Sequence, residues 1–243
     1  MTIFRKSLVA AAFIASATAA QAEFSGNIGV TSDYVWRGIS QTAEQASVSG
    51  GLDYADDSGF YVGTWVGSLG DTVSEFGGAE VDLYIGFGQE YDLFTWDVGY
   101  IYYYYPSNDD IDFGEIYGSI GVGIWSIGLA FTTNGQGDSD DGDLFDTGDL
   151  YIHTGLSGPL SETWSLGGTL GLYTFDTDGV GGVGADYAFG QLDLSKSSDF
   201  GDFTISAIIT DADNDDFAAG LEQFGFNPGD DDLKLVVSWG IGF

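Results

Sequence analysis

The side chains that offer chemistry in this chain are almost all carboxylates. Asp and Glu number 38 against 5 Lys and Arg, with 1 His, 0 Cys and a formal net charge of −33. Thiol and disulfide chemistry are excluded. A hydrolytic triad normally needs a histidine base, and His153 stands alone. Ser157 and Ser161 lie near it in sequence, but no G-x-S-x-G elbow and no His/Cys metal cluster appears. The Gly-rich run 179–184 does not lead from a strand into a helix, so it does not read as a phosphate loop. An enzyme is therefore not expected. Nucleic acid is excluded as a partner, because phosphate contacts need Lys and Arg. So acidic a chain attracts cations and repels anions.

The ionisable residues fall into two groups. In the first, Asp33, Arg37, Asp53, Glu80, Asp82, Glu90, Asp97, Glu115, His153 and Asp193 occupy the polar phase of alternating segments. The second group crowds Asp/Gly-rich stretches around 138–146, 211–216 and 230–232. Asp211, Asp213, Asp215 and Glu222 are spaced like positions one, three, five and twelve of an EF-hand loop. Asp216 stands where that loop needs Gly, and no flanking helices are expected. The expectation is a solvated acidic surface that holds divalent cations loosely at most, with no dedicated cofactor.

The elements that must position the first group are β-strands. At the C-terminus Leu233, Leu235, Val237, Trp239, Ile241 and Phe243 alternate with Lys234, Ser238, Gly240 and Gly242, and Val236 breaks the pattern. The two-residue period gives each strand two unlike faces. The same reading predicts strands near 24–36, 46–54, 60–68, 79–88, 94–104, 115–123, 125–132, 150–156, 164–175, 186–195 and 203–210. Connections alternate between short and long, as an up-and-down barrel with short turns at one end requires. The predicted fold is all-β: a transmembrane antiparallel up-and-down β-barrel of about twelve strands, with ten or fourteen as neighbouring solutions. A soluble sandwich has a similar period, but aromatic pairs near strand ends favour the membrane. These are Tyr34 and Trp36, Phe94 and Trp96, and Tyr102 to Tyr105.

Residues 1–22 read as a cleaved secretory signal peptide. Arg5 and Lys6 precede a short apolar run, and Ala20-Gln21-Ala22 is a small-x-small cleavage site. Residues 23–243 then form the barrel domain. Its basic residues are Arg37, Lys196 and Lys234. Arg37 is expected either to pair with lumen carboxylates, Asp33 or Asp53, or to sit at the rim against lipid phosphate. With so few cations available, the balance of charge favours a hydrated, negative lumen over a plugging network of ion pairs.

Three stretches carry a family resemblance: SDYVWRGISQT (Ser32 to Thr42), GGLDYADDSGFYVGTWVG (Gly50 to Gly67) and GGAEVDLYIGFG (Gly77 to Gly88). They resemble the TorF-type porins, a proteobacterial family of largely unknown function. The resemblance implies a Gram-negative outer-membrane location and a channel role, and brings no catalytic residues. Trp239, Ile241 and the terminal Phe243 resemble the signal by which such barrels are delivered to the barrel-assembly machinery. The expected function is passive diffusion of small hydrophilic solutes with a preference for cations. The alternatives are a closed structural or adhesive barrel with acidic external loops and, third, an outer-membrane enzyme. Outer-membrane lipid is the expected surrounding partner, and the sequence reveals no oligomer interface.

Overall fold

The structure, a computed structural model, describes residues 23–70, 78–107, 111–135, 145–176, 186–212 and 233–243. Its strands are β1 (Glu23–Thr31), β2 (Val35–Trp36), β3 (Ile39–Ser40), β4 (Ser47–Ala55), β5 (Phe60–Ser68), β6 (Ala79–Glu90) and β7 (Thr95–Tyr104). They continue with β8 (Phe113–Val122), β9 (Trp125–Gly135), β10 (Leu150–Pro159), β11 (Trp164–Thr174), β12 (Tyr187–Ser198), β13 (Gly201–Thr210) and β14 (Lys234–Gly242). β1 and β4 to β14 close into one antiparallel barrel of twelve strands, each paired with its neighbours in sequence order. β1 completes the ring by pairing with both β14 and β4. At this seam Gly26 and Phe243 exchange two backbone hydrogen bonds of 2.9 Å. Closure removes the unpaired edges that an open sheet would leave.

The two faces differ as the alternation predicts. Leu52, Leu83, Leu170, Leu192, Ile205 and Leu235 point outward and are more than half exposed. A protein surrounded by water does not present a continuous apolar belt of this kind. The inner face carries Tyr, Ser, Thr, Gly and carboxylates. Val236, which broke the C-terminal alternation, points inward beside Lys234, and both are buried.

Aromatic rings inside the barrel lie across glycines of the adjacent strand. Tyr61 is the register partner of Gly86, Tyr84 of Gly63, Tyr117 of Gly99 and Phe189 of Gly171. In each pair a Cβ on the glycine would collide with the facing ring. The abundant Gly and Tyr are thus one packing device. Missing side chains let large rings lie flat against the wall.

The first predicted strand needs correction. The wall strand ends at Thr31, not near residue 36. The chain then turns into the barrel, and Val35–Trp36 pairs with Ile39–Ser40 as a separate hairpin. Tyr34 and Trp36 therefore form no interfacial belt. Tyr103 and Tyr105 are likewise buried, while Tyr104 points outward. Asp213, Asp215 and Glu222 lie outside the described residues, as does the predicted signal peptide. Asp211 is described, and its carboxylate accepts a hydrogen bond from the Ala188 backbone N–H at 2.6 Å.

The ring-on-glycine packing sets an expected outcome. Gly86→Ala should displace Tyr61 and cost about 1–3 kcal/mol, as overpacking does. Gly118→Ala meets its nearest neighbour at an ordinary 3.4 Å and should cost far less. Urea unfolding of the refolded barrel measures both, and equal costs would remove this account of the inner wall.

Candidate functional site

The site grows from the turn Arg37-Gly38. A two-residue hairpin loop matches strand twist when both residues take positive φ, and here φ is 48° and 87°. Glycine adopts that backbone freely. Arginine does so at a cost of roughly 1 kcal/mol, so something must hold it there. Two features clasp the hairpin and a third fixes it to the wall. The Asp33 carboxylate accepts hydrogen bonds from Ser40 Oγ at 2.6 Å and Thr42 Oγ1 at 2.8 Å. Gln41 N donates to the Tyr34 carbonyl at 2.6 Å. Tyr34 OH donates to Glu80 Oε1 on β6 at 2.8 Å.

The hairpin crosses the bore. Tyr34 packs on Trp65 of β5 at 5.3 Å between ring centroids. Trp36 meets Tyr103 of β7 at 5.7 Å, Phe113 of β8 at 6.2 Å, Phe145 at 5.8 Å and Tyr173 of β11 at 6.1 Å. A Cβ on Gly38 would strike Phe189 of β12, so the tip rests against the wall three strands round the ring from β1. Ile39 completes a buried cluster with Tyr173, Tyr187, Phe189 and Ala212.

At the tip, Arg37 forms a two-pronged ion pair with Glu115 of β8. Nη1 reaches Oε1 at 2.8 Å and Nη2 reaches Oε2 at 2.6 Å. The two side chains are 9% and 1% exposed, so neither charge is shared with bulk water. Tyr103 OH donates to Glu115 Oε2 at 3.2 Å. The guanidinium lies over the rings of Trp36 at 4.2 Å, Tyr151 at 4.1 Å and Tyr173 at 5.2 Å. Arg37 thus pairs with a lumen carboxylate as expected, but with Glu115 and not with Asp33 or Asp53: Asp33 is occupied within the hairpin, and Asp53 accepts from Tyr84 OH at 2.5 Å. The rim alternative is also wrong, because Arg37 is inside the barrel.

The other named residues are placed as follows. Glu80 is buried and also accepts from Tyr105 OH at 3.1 Å. Asp82 is buried beside it, with Oδ1 lacking a hydrogen-bond partner. Asp97 accepts from Tyr61 OH at 2.9 Å, and Tyr61 OH meets Tyr117 OH at 2.6 Å. Asp193, on the far wall, accepts from Ser206 Oγ at 2.6 Å and Gln191 Nε2 at 2.8 Å. His153 points inward and stacks on Tyr151 at 5.2 Å. Glu90 is exposed at the short-turn end of β6. Lys196 faces outward, 5.5 Å from the Trp164 ring. Lys234 lines a cavity of about 390 Å³ at the seam with Ser32, Asp33 and Glu44. Among the described residues no group of three or more His, Cys, Asp or Glu is arranged to hold a metal ion.

The alternation does not separate the hairpin and its aromatic seat from the wall, although Trp-Arg-Gly-Ile carries a signal: a residue followed by Gly between strand-forming residues. The seat includes the loop before β10. Phe145 stacks on Phe113 at 5.0 Å, and Asp149 anchors that loop by accepting from Asp176 N at 3.0 Å. Burial pushes the Asp149 carboxyl up to about 7.

The fold and site define a closed β-barrel whose bore is crossed by a cation-tipped hairpin. The sequence matches the Gcw_chp family, described as bacterial protein of unknown function, over residues 15–238, and the chain belongs to that family. No curated protein matches it. Its fold is similar to the KdgM porin at 7% identity and TM-score 0.56, over 90% of this chain and 98% of that one. The NanC porin, in a rhombohedral crystal form, is similar at 10% identity and TM-score 0.50, over 90% and 98%. KdgM has also been solved in complex with disordered oligogalacturonate, at 7% identity and TM-score 0.50, over 90% and 97%. At these identities the likeness is one of fold.

Two outcomes follow from the seat. Arg37→Ala and Glu115→Ala should each cost about 3–5 kcal/mol, because either leaves a buried charge or its partner stranded. The double variant should cost much less than their sum, and additivity in chemical unfolding would show that the pair is not coupled. For Asp149 the folded value lies above the ordinary 3.8, so its contribution is present below pH 4 and lost as pH rises toward 7. Asp149→Asn should therefore flatten the fall in thermal stability between pH 4 and 8. An unchanged slope would assign that fall to other groups.

Proposed function

We propose that this chain is an outer-membrane, porin-like channel that passes small hydrophilic cations and is restricted by its inward hairpin. The observation that carries the reading is the charge of the inner wall. Asp53, Asp97, Asp193, Glu80 and Asp82 face the bore; against them stand Lys234, set at the seam beside Asp33 and Glu44, and Arg37, which enters on the hairpin and is already paired with Glu115. Carboxylates lining a narrow aqueous path attract cations and exclude anions. The KdgM porin, similar in fold, is solved in complex with an oligogalacturonate, a solute anionic by name. The wall here carries the same sign as that solute and would repel it.

The exposed apolar belt supports a bilayer as the surroundings, and closed barrels are one of two ways a chain satisfies its backbone there. Because β1 starts and β14 ends at the short-turn end, the long connections face outside the cell in this reading. The resemblance of residues 32–88 to TorF-type porins supports the same location. Trp239, Ile241 and Phe243 supply the delivery signal to the assembly machinery, and the acidic outer loops attract divalent cations loosely. The chain acts as a channel, not an enzyme. A closed structural barrel is the second reading, and it is favoured by the hairpin across the bore.

Planar bilayers separate the two. The channel should give discrete currents whose reversal potential in a salt gradient reports cation preference. Asp53→Asn with Asp97→Asn should reduce that preference. Silence at all voltages would overturn the channel reading, and anion selectivity would overturn the charge argument.

A further inference from the structure

The seat of Arg37 has the composition of a receptor. A guanidinium is a flat cation with two weakly hydrated faces and an edge of N–H donors in a fork. Here Glu115 meets the edge at 2.8 and 2.6 Å, and Tyr103 OH fixes the carboxylate at 3.2 Å. The Tyr151 ring covers one face at 4.1 Å, with Tyr173 close by at 5.2 Å. These groups belong to β7, β8, β10 and β11, so the barrel wall builds them without help from the hairpin. Only Trp36, at 4.2 Å, arrives with the arginine itself.

The hairpin meanwhile holds Arg37 at φ 48° to reach this position. A strained residue is delivered to an unstrained, wall-built site. We propose that Glu115, Tyr151 and Tyr173 form a guanidinium site whose occupant in the closed chain is Arg37, and that guanidinium-bearing solutes compete for it and release the hairpin. The inference rests on the channel reading for its solute class and names that class within the small cations.

The magnitudes make competition workable. A tethered arginine acts at an effective concentration of roughly millimolar or above, so free solute must reach that range to displace it. Sodium and potassium ions lack both the flat faces and the fork, and the rings and the single carboxylate replace little of their hydration. Anions are repelled by Glu115. The site therefore selects among cations by shape as well as by sign.

Arg37→Gly empties the site and relieves the positive φ at once. The test compares this variant in detergent with guanidinium chloride and sodium chloride, both at about 10 mM, where guanidinium acts as a ligand and not as a denaturant. Guanidinium should raise the unfolding temperature and shift Trp36 fluorescence, and sodium should do neither. Adding Glu115→Gln should weaken guanidinium binding about tenfold or more, as loss of a charged fork does. Equal responses to the two salts, or no effect of Glu115→Gln, would overturn the proposal. If Arg37→Gly does not fold alone, its folding yield, read as heat-modifiable migration on a gel, becomes the readout. Rescue by guanidinium over sodium supports the site, and equal yields overturn it. Conductance is measured separately. Guanidinium binding by a silent barrel retains the site and removes the channel reading, whereas a conducting barrel indifferent to guanidinium does the reverse.

Discussion

The seam between β1 and β14 sets the terms for everything inside the barrel. Once Gly26 and Phe243 exchange hydrogen bonds, every wall strand has two neighbours and no edge remains to be covered. A closed wall with an apolar outside must place its polar side chains within. Those side chains then have to be solvated or paired, because charge is costly to leave bare in a confined space. The phenols do much of this work. Tyr61, Tyr84, Tyr103 and Tyr105 each donate to a carboxylate on another strand, and glycines on the facing strands make room for the rings of Tyr61, Tyr84 and Tyr117.

Phenols supply hydrogen bonds but no charge. Lys234 of β14 is one inward cation, at the seam; the cation that meets Glu115 comes from outside the wall, on a hairpin that leaves β1 at Thr31 and reaches β12 at its tip. That choice couples electrostatics to access. A cation fixed on a wall strand would neutralise Glu115 and leave the bore open. Carried on a loop, it neutralises Glu115 and brings Trp36 and Ile39 into the bore with it. The ion pair and the obstruction are one element, so whatever loosens the pair also loosens the obstruction.

Much of the wall was legible in the sequence, because a two-residue period survives in any strand with unlike faces. The inward phase of Asp53, Glu80, Asp82, Asp97 and Asp193 follows from that period alone. It failed where the chain left the wall. Tyr34 and Trp36 continue the alternation of β1 because β2 is itself a strand, and period cannot tell a wall strand from a hairpin strand. The partner of Arg37 was not legible either. Glu115 lies 78 residues away, and the pairing depends on how far the hairpin reaches across the closed ring. The ring-on-glycine pairs likewise needed the register, since composition reports Gly and Tyr without saying which faces which. The stretch Ser32 to Thr42, which carries the family resemblance, proves to be the hairpin and its clasp.

On the proposed channel reading this hairpin, and not the wall, limits passage. Tyr34 and Gln41 are joined by a backbone hydrogen bond, so Val35–Ser40 can be replaced by Gly-Gly without parting the ends. Single-channel conductance of the full chain and of this variant, in the same bilayer and salt, measures the claim directly. The variant should be a barrel of unchanged heat-modifiability with several-fold larger conductance, on the order of what removing a plug from a ring of this strand number should release. Equal conductance in the two proteins would contradict it and place the limiting constriction in the wall.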